Sequence, residues 1–334
     1  MQINHAVLHV LDFDSAVNVF SERELDLDTR AARSFVSRHL LRARSAADNR
    51  LGSFAEQSAF AGEIKRYLFG EREFLDLSLD IAEFLSGELS RAEKLESTDV
   101  LIADFDDEDD VRWFAILLLS SRQAFMHEVE SASGSTSCGI ARHYAILPNP
   151  SQKVASYALV RASSLEVLYR DKERVIAGER RQVIPEGLLQ CTEGVSSKEV
   201  IEQVSRVVTE VAEEHGANTA VALAAAKAAM VEAIEEDEEL PPWDIVDEAF
   251  EDEPQLRDAV KQALRDEQVP ECVHVERAQG RRAAVRNVKI RTDTGIEITL
   301  PAELAHNSEY VSFVNEPNGL ISIELKQIGS IENR

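Results

Sequence analysis

Near the C-terminus, "RRAAVRNVKIR" (281–291) holds Arg281, Arg282, Arg286, Lys289 and Arg291 with no acid among them, and Arg277 stands just ahead. The whole chain carries a formal charge of −25. Cations gathered in this way suit phosphate. Each neutralised backbone phosphate releases counterions and adds to the salt dependence of binding. Such contacts position a protein on a duplex without reading its bases. The same charges also suit a solvated face paired to nearby acids, which is the usual fate of a charge run. A second set, Arg30, Arg33, Arg38, Arg42 and Arg44, lies in the stretch 28–50. At about 100° per residue these five spread around a helix, so the sequence implies salt-bridge partners before a single stripe.

Other chemistry finds little support. Cys138 and His143 lie close together, but in a run of small residues with no orienting acid motif, so a nucleophile–base pair is not indicated. Asp104 and Asp106 have the look of nuclease carboxylates, yet no ExK follows on the next apolar stretch. Asp104, Asp106, Glu108 and Asp110 alternate as in a calcium loop. That loop needs a glycine at its sixth place and a glutamate at its twelfth, where Ala115 stands. There is no GxxxxGK[ST], no GxGxxG and no GxSxG. His5 and His9 share a strand face without a third ligand, and the three cysteines, Cys138, Cys191 and Cys272, form no CxxC. The expectation is a protein without catalytic function, metal or cofactor, kept in a reducing cytoplasm.

Several elements must position these residues. "HAVLHVLDF" (5–13) reads as a strand, and 28–50 as a helix with Ala32, Phe35, Val36 and Leu40 at helical spacing. "SFAE" (53–56) has the form of a capping box opening the next helix, which ends at Gly70; a third helix covers about 71–89. "TDVLIADF" (98–105) and "VRWFAILLL" (111–119) form a hairpin with a solvated acidic tip; "SRQAFMHEVES" continues the β pattern, and "SASGSTSCG" (131–139) reads as a loop. Strands follow Pro148 and Pro150. A second capping box, Ser196 to Glu199, opens a helix striped by Val200, Val204, Val207, Val208 and Val211; an alanine-rich helix spans 218–236, and Pro254 starts another. Beyond it, Val288 and Ile290 alternate with Asn287, Lys289 and Arg291, and after "DTG" Ile296, Ile298 and Leu300 alternate with Glu297 and Thr299. This is a hairpin with one apolar and one polar face. It places Lys289 and Arg291 together toward solvent.

A length of 334 residues, 44% hydrophobic, points to two domains with their own cores. The boundary is expected in the loop near 131–150, giving an N-terminal α+β domain over 1–145. A C-terminal α+β domain over 146–334 then holds acidic helices (230–271) and a terminal β-meander (285–327). No apolar run reaches the roughly eighteen residues of a membrane span, and no secretory signal opens the chain. Acidity is uneven: 230–271 holds 16 acids against Arg257, Lys261 and Arg265. Nine lysines stand against 27 arginines. Broad acidity with few lysines suits work in concentrated salt, which stability rising in molar salt would check.

Four stretches together resemble the bacterial nucleoid-associated protein family of the NdpA or YejK type. They are "LGSFAEQS…IKRYLFGEREFLDLSLDIAEFL" (51–85), "ILPNPSQKVASYALV" (146–160), "GERRQVIPEGLLQCTEGVSSKEVIEQV" (178–204) and "VKIRTDTGIEITLPAEL…SEYVSFVNEPNGLISIELKQI" (288–328). Their order runs from about residue 3 to 328, and the last is the most specific. The resemblance implies a protein of the cytoplasmic nucleoid that associates with DNA and forms a homodimer, with a type II topoisomerase subunit as partner in some members. It brings no catalytic motif. The departure is charge, since a net −25 repels DNA at long range unless the basic surface is segregated or salt screens the field. The acidic helices then suit docking to a basic partner, which gives the alternative of an interaction adaptor that never touches DNA.

Overall fold

The computed structural model describes residues 1–132, 135–192, 194–275, 286–315 and 321–331. Contacts divide the chain into two compact units, Met1–Val195 and Ser196–Arg334. The class is mixed α+β, as the sequence implies.

The first unit is built on one seven-stranded antiparallel sheet. Its strands are β1 (Gln2–Asp12), β2 (Val17–Val19), β3 (Arg50–Ser53), β4 (Thr98–Asp106), β5 (Arg112–Ser120), β8 (Ser156–Arg161) and β9 (Glu166–Arg170), in spatial order β2-β1-β4-β5-β8-β9-β3. The apolar runs in β4 and β5 are unbroken because both faces of these central strands are covered. Val100, Ile102, Phe114, Ile116 and Leu118 pack on one side with Ile64, Leu77, Ile81 and Leu85 of helices α2 (Ala59–Leu68) and α3 (Phe74–Leu89). Leu101, Ala103, Phe105, Trp113, Ala115 and Leu117 pack on the other with Val36, Leu40 and Ala43 of α1 (Arg30–Arg44). The outcome is three layers, helix on sheet on helices.

Three expectations change here. Ser53 is not a helix cap: it pairs with Glu166 at the sheet edge and its amide donates to Thr192 Oγ1 at 3.2 Å. The cap of α2 is Ser58, whose Oγ accepts from the Ala61 amide at 3.2 Å. The stretch 131–139 is not a plain loop. It lies largely in a ribbon of β6 (Arg122–Ala132) and β7 (Ser135–Ile146). Finally, the break between the units falls at Val195/Ser196 and not near 145, because β8 and β9 return to the sheet after the ribbon. Small strands β10 (Arg174–Ile176) and β11 (Glu179–Arg181) and a π-helical turn, Val183–Leu189, complete the unit.

In the second unit, α4 (Ser197–Glu214), α5 (Thr219–Asp237), α6 (Pro242–Ala249) and α7 (Pro254–Asp266) share one core. The Ser196–Glu199 capping box forms as predicted: Ser196 Oγ accepts from the Glu199 amide at 3.1 Å, and Glu199 Oε2 accepts from the Ser196 amide at 2.9 Å. All five valines of the α4 stripe are buried. Strands β12 (Glu239–Leu240) and β13 (Val273–His274) pair beside the bundle. Helix α5 is used on both sides. Ala226, Met230 and Ile234 face the bundle. Leu223 and Ala224 meet Val288, Ile290 and Leu300 of the hairpin β14 (Asn287–Arg291) and β15 (Glu297–Pro301), together with helix α8 (Ala302–His306). Small side chains are what let backbones approach from both directions. The terminal strands are present, but β16 (Val311–Asn315) and β17 (Ile321–Leu325) pair only with each other among the described residues. The expected continuous meander is two separate hairpins, because α8 interrupts it.

Candidate nucleic-acid interface

Helix α1 contains five arginines and no acid. Val36, His39, Leu40 and Ala43 are buried against the sheet, so the opposite side faces water. Arg30, Arg38 and Arg42 are all exposed on that side. At 100° and 1.5 Å per residue they fall within an arc of about 120° and rise about 18 Å along the helix. None of the three makes an ion pair with a described residue. Arg33 and Arg44 lie to one flank. The Arg33 Nε donates to the Leu27 carbonyl at 2.8 Å, and a guanidinium nitrogen stands 3.8 Å from Asp28. Arg44 pairs with Asp107 at 2.9 Å and lies 5.8 Å from the Trp113 ring. The set that the sequence leaves scattered thus sorts into Arg44 held by Asp107, Arg33 tied to the Leu27 carbonyl beside an exposed Asp28, and three aligned toward solvent. The signal the sequence lacks is which side of α1 the sheet covers.

Asp107 shows why the 106–110 tip is not simply a solvated acidic turn. It is buried, accepts from the amides of Asp109 and Val111 at 2.9 Å each, and accepts from the Trp113 indole at 2.9 Å. Burial opposes its charge, but these donors and Arg44 hold its carboxyl below the ordinary carboxylate value.

At the C-terminal hairpin, Lys289 and Arg291 are exposed on one face while Val288 is buried, as the alternation requires. Arg291 sits across the pair from Glu297, 3.9 Å away, with both side chains about three-quarters exposed (77% and 73%). Such a pair leaves most of each charge in water. Arg286 is held by Glu235 of α5. Beneath the strand, Lys227 of α5 donates to the Asn287 carbonyl at 2.9 Å, and burial, then the charge of Lys289, lowers its pKa. Arg277, Arg281 and Arg282 lie outside the described residues. Of the six C-terminal cations, then, the structure brings Lys289 and Arg291 together, adds Lys227 to them, and gives Arg286 to an acid.

The model of the nucleoid-associated protein YejK family matches residues 7–331. The chain belongs to that family. No curated protein matches it significantly.

The other polar clusters of the first unit are tied up in internal hydrogen bonds. Asp104 is fully buried, and both oxygens are taken. Asn4 Nδ2 and Arg112 Nε reach Oδ1 at 3.1 Å, while the Tyr67 hydroxyl at 2.5 Å and an Arg112 nitrogen at 2.7 Å reach Oδ2. Its hydrogen bond raises the Arg112 pKa, and burial, then Asp104, raises that of Tyr67. Asp106 accepts from Asn4 at 2.8 Å. A carboxylate so enclosed has no lone pair to offer an ion. His9 is buried, accepts from the Ser21 amide at 3.0 Å, and is pushed down to about 4 by burial. Among the described residues, no group of three His, Cys, Asp or Glu side chains is placed to hold a metal, and no helix is long and apolar enough to cross a membrane. Cys138 lies on β7 as an exposed free thiol.

The acidic block forms the end of α5 and all of α6 and α7. Arg257 and Lys261 both reach Asp247. Glu248 has a raised pKa, from burial first and then from Glu232 and Glu236. Carboxylates here outnumber their cations and crowd one another.

Proposed function

We propose that the protein is a non-enzymatic nucleoid-associated protein of the cytoplasm that binds DNA through its phosphates, with little base specificity, and works as a homodimer. The observation that carries this reading is the acid-free α1, with Arg30, Arg38 and Arg42 aligned on its solvent side. Over about 18 Å of axis one DNA strand presents about five phosphates, enough to engage all three. Lys289 and Arg291 offer a second contact on the same principle. Family membership supports the reading. At physiological ionic strength fields decay over about 8 Å, so the −25 of the whole chain weighs less on a phosphate than the charges at the contact itself.

The test is a gel shift of duplex DNA over a salt series. Binding should fall steeply as salt rises and differ little between unrelated sequences. A protein that leaves DNA unshifted even at low salt overturns the reading.

The crowded carboxylates around Glu248 favour a second reading, an adaptor whose acidic helices dock a basic protein such as a type II topoisomerase subunit. Pull-down from nuclease-treated lysate separates the two. A partner that survives nuclease treatment supports the adaptor, and one that is lost supports DNA as the link.

A further inference from the structure

Among the described residues, the strands of the β6–β7 ribbon pair only with each other, and residues 125–129 and 136–140 are exposed. Residues directly opposite in an antiparallel pair share a face. Phe125 with Arg142, His127 with Ile140, and Val129 with Cys138 therefore stand on one side. Phe125 is 70% exposed, Val129 56% and Ile140 83%. The Arg142 guanidinium lies 5.1 Å from the Phe125 ring. Isolated two-stranded ribbons are marginal in water and gain stability when another layer covers an apolar face. A contiguous exposed apolar stripe marks a contact surface.

We infer that this face of the ribbon is where two copies of the chain meet. It takes up only the homodimer of the reading above and stands apart from the DNA contact. Charge selects the occupant. Two copies of a −25 chain repel, and a polyanion or a basic partner needs a surface of definite sign. Residues 122–146 hold Arg122 and Arg142 against Glu128 and Glu130, a net charge of zero. Here a second copy can approach without opposing charge. The ribbon's eleven-residue strand is about 36 Å long, and the pair is about 10 Å across. Mutual cover removes roughly 700 Å² from water, which places the contact among weak, reversible ones. Because it joins apolar surfaces on chains that repel, salt strengthens it, whereas salt weakens phosphate contact.

Sedimentation of the full chain over a dilution series tests this at low and high salt. The wild type should pass from monomer to dimer with concentration, at lower concentration in high salt. Phe125→Asp with Ile140→Asp should weaken the dimer about a hundredfold or more, since each change replaces a covered apolar side chain by a charge. A dimer that persists unchanged in the double variant puts the interface elsewhere and overturns the inference. A wild type that stays monomeric throughout overturns it together with the homodimer, leaving DNA contact to the gel shift. Should the variant fail to fold, amide exchange on the wild type decides. Protection over 122–129 and 136–142 that rises with concentration supports the interface, and protection that stays constant overturns it.

Discussion

If α1 meets phosphate, removing Arg30, Arg38 and Arg42 has a calculable effect. All three are exposed, and alanine is at least as good a helix former as arginine, so the triple Ala variant should keep its fold. Each phosphate contact contributes about 0.9 to the slope of log K against log salt on duplex DNA. Three contacts contribute about 2.7. Between about 50 and about 200 mM salt, roughly a 0.6-log interval, they account for roughly a 40-fold fall in affinity. The variant should lose that part of the slope and bind more weakly most of all at low salt. Lys289→Ala with Arg291→Ala should remove at most about 1.8 from the slope, and less if Glu297 already occupies Arg291. Fluorescence anisotropy with a labelled duplex at several salt concentrations gives the slope directly. An unchanged slope and affinity in the α1 variant, with its circular dichroism intact, would refute the assignment of phosphate to this helix.

Further expectations concern stability. Asp99 is 8% exposed, and burial, then the charge of Asp12, pushes its carboxyl up to about 6 from 3.8. Its folded form therefore binds a proton the unfolded chain has released, so this residue's contribution rises as pH falls from about 6 toward about 4. Asp99→Asn should stabilise the protein by up to about 3 kcal/mol at pH near 8 and hardly at all at pH near 4, measured by denaturant unfolding at both. His9 acts in the opposite sense: with its folded pKa depressed to about 4, it costs stability as pH falls below about 6.5, so the Asp99→Asn variant should show a steeper acid loss than the wild type. Arg112→Met leaves the buried Asp104 without its cation and should cost about 3–5 kcal/mol of unfolding free energy. Ser196→Ala removes the reciprocal cap of α4 and should cost about 1 kcal/mol, with a matching shift in the midpoint of the second unit's transition.

Where a local rule is enough, the sequence is readable. The α4 cap needs only Ser196 and Glu199 three residues apart, and its valine stripe needs only helical period; both are present in the structure. The hairpin that carries Lys289 follows from alternation, and so does the face that Lys289 shares with Arg291. What fails depends on distant partners. Ser53 has the same local signature as Ser196, but Glu166 and Thr192, more than a hundred residues away, draw it into the sheet. The small residues after 131 read as loop because exposed ribbon strands lack the alternating apolar code. The α1 arginines can be counted in the sequence but not sorted, since their roles are set by the sheet below and by Asp107 on a hairpin tip.

Helix α5 works as a party wall between two rooms. Ala224 faces the hairpin that presents Lys289, and Ala226, on nearly the opposite side of the helix, faces the acidic bundle. Neither room can be enlarged alone: an extra methylene on one side shifts the wall into the other. Divergence of the strand that presents Lys289 and of the carboxylate-rich helices is thus mechanically tied, and a drift in one has to be answered by a drift in the other.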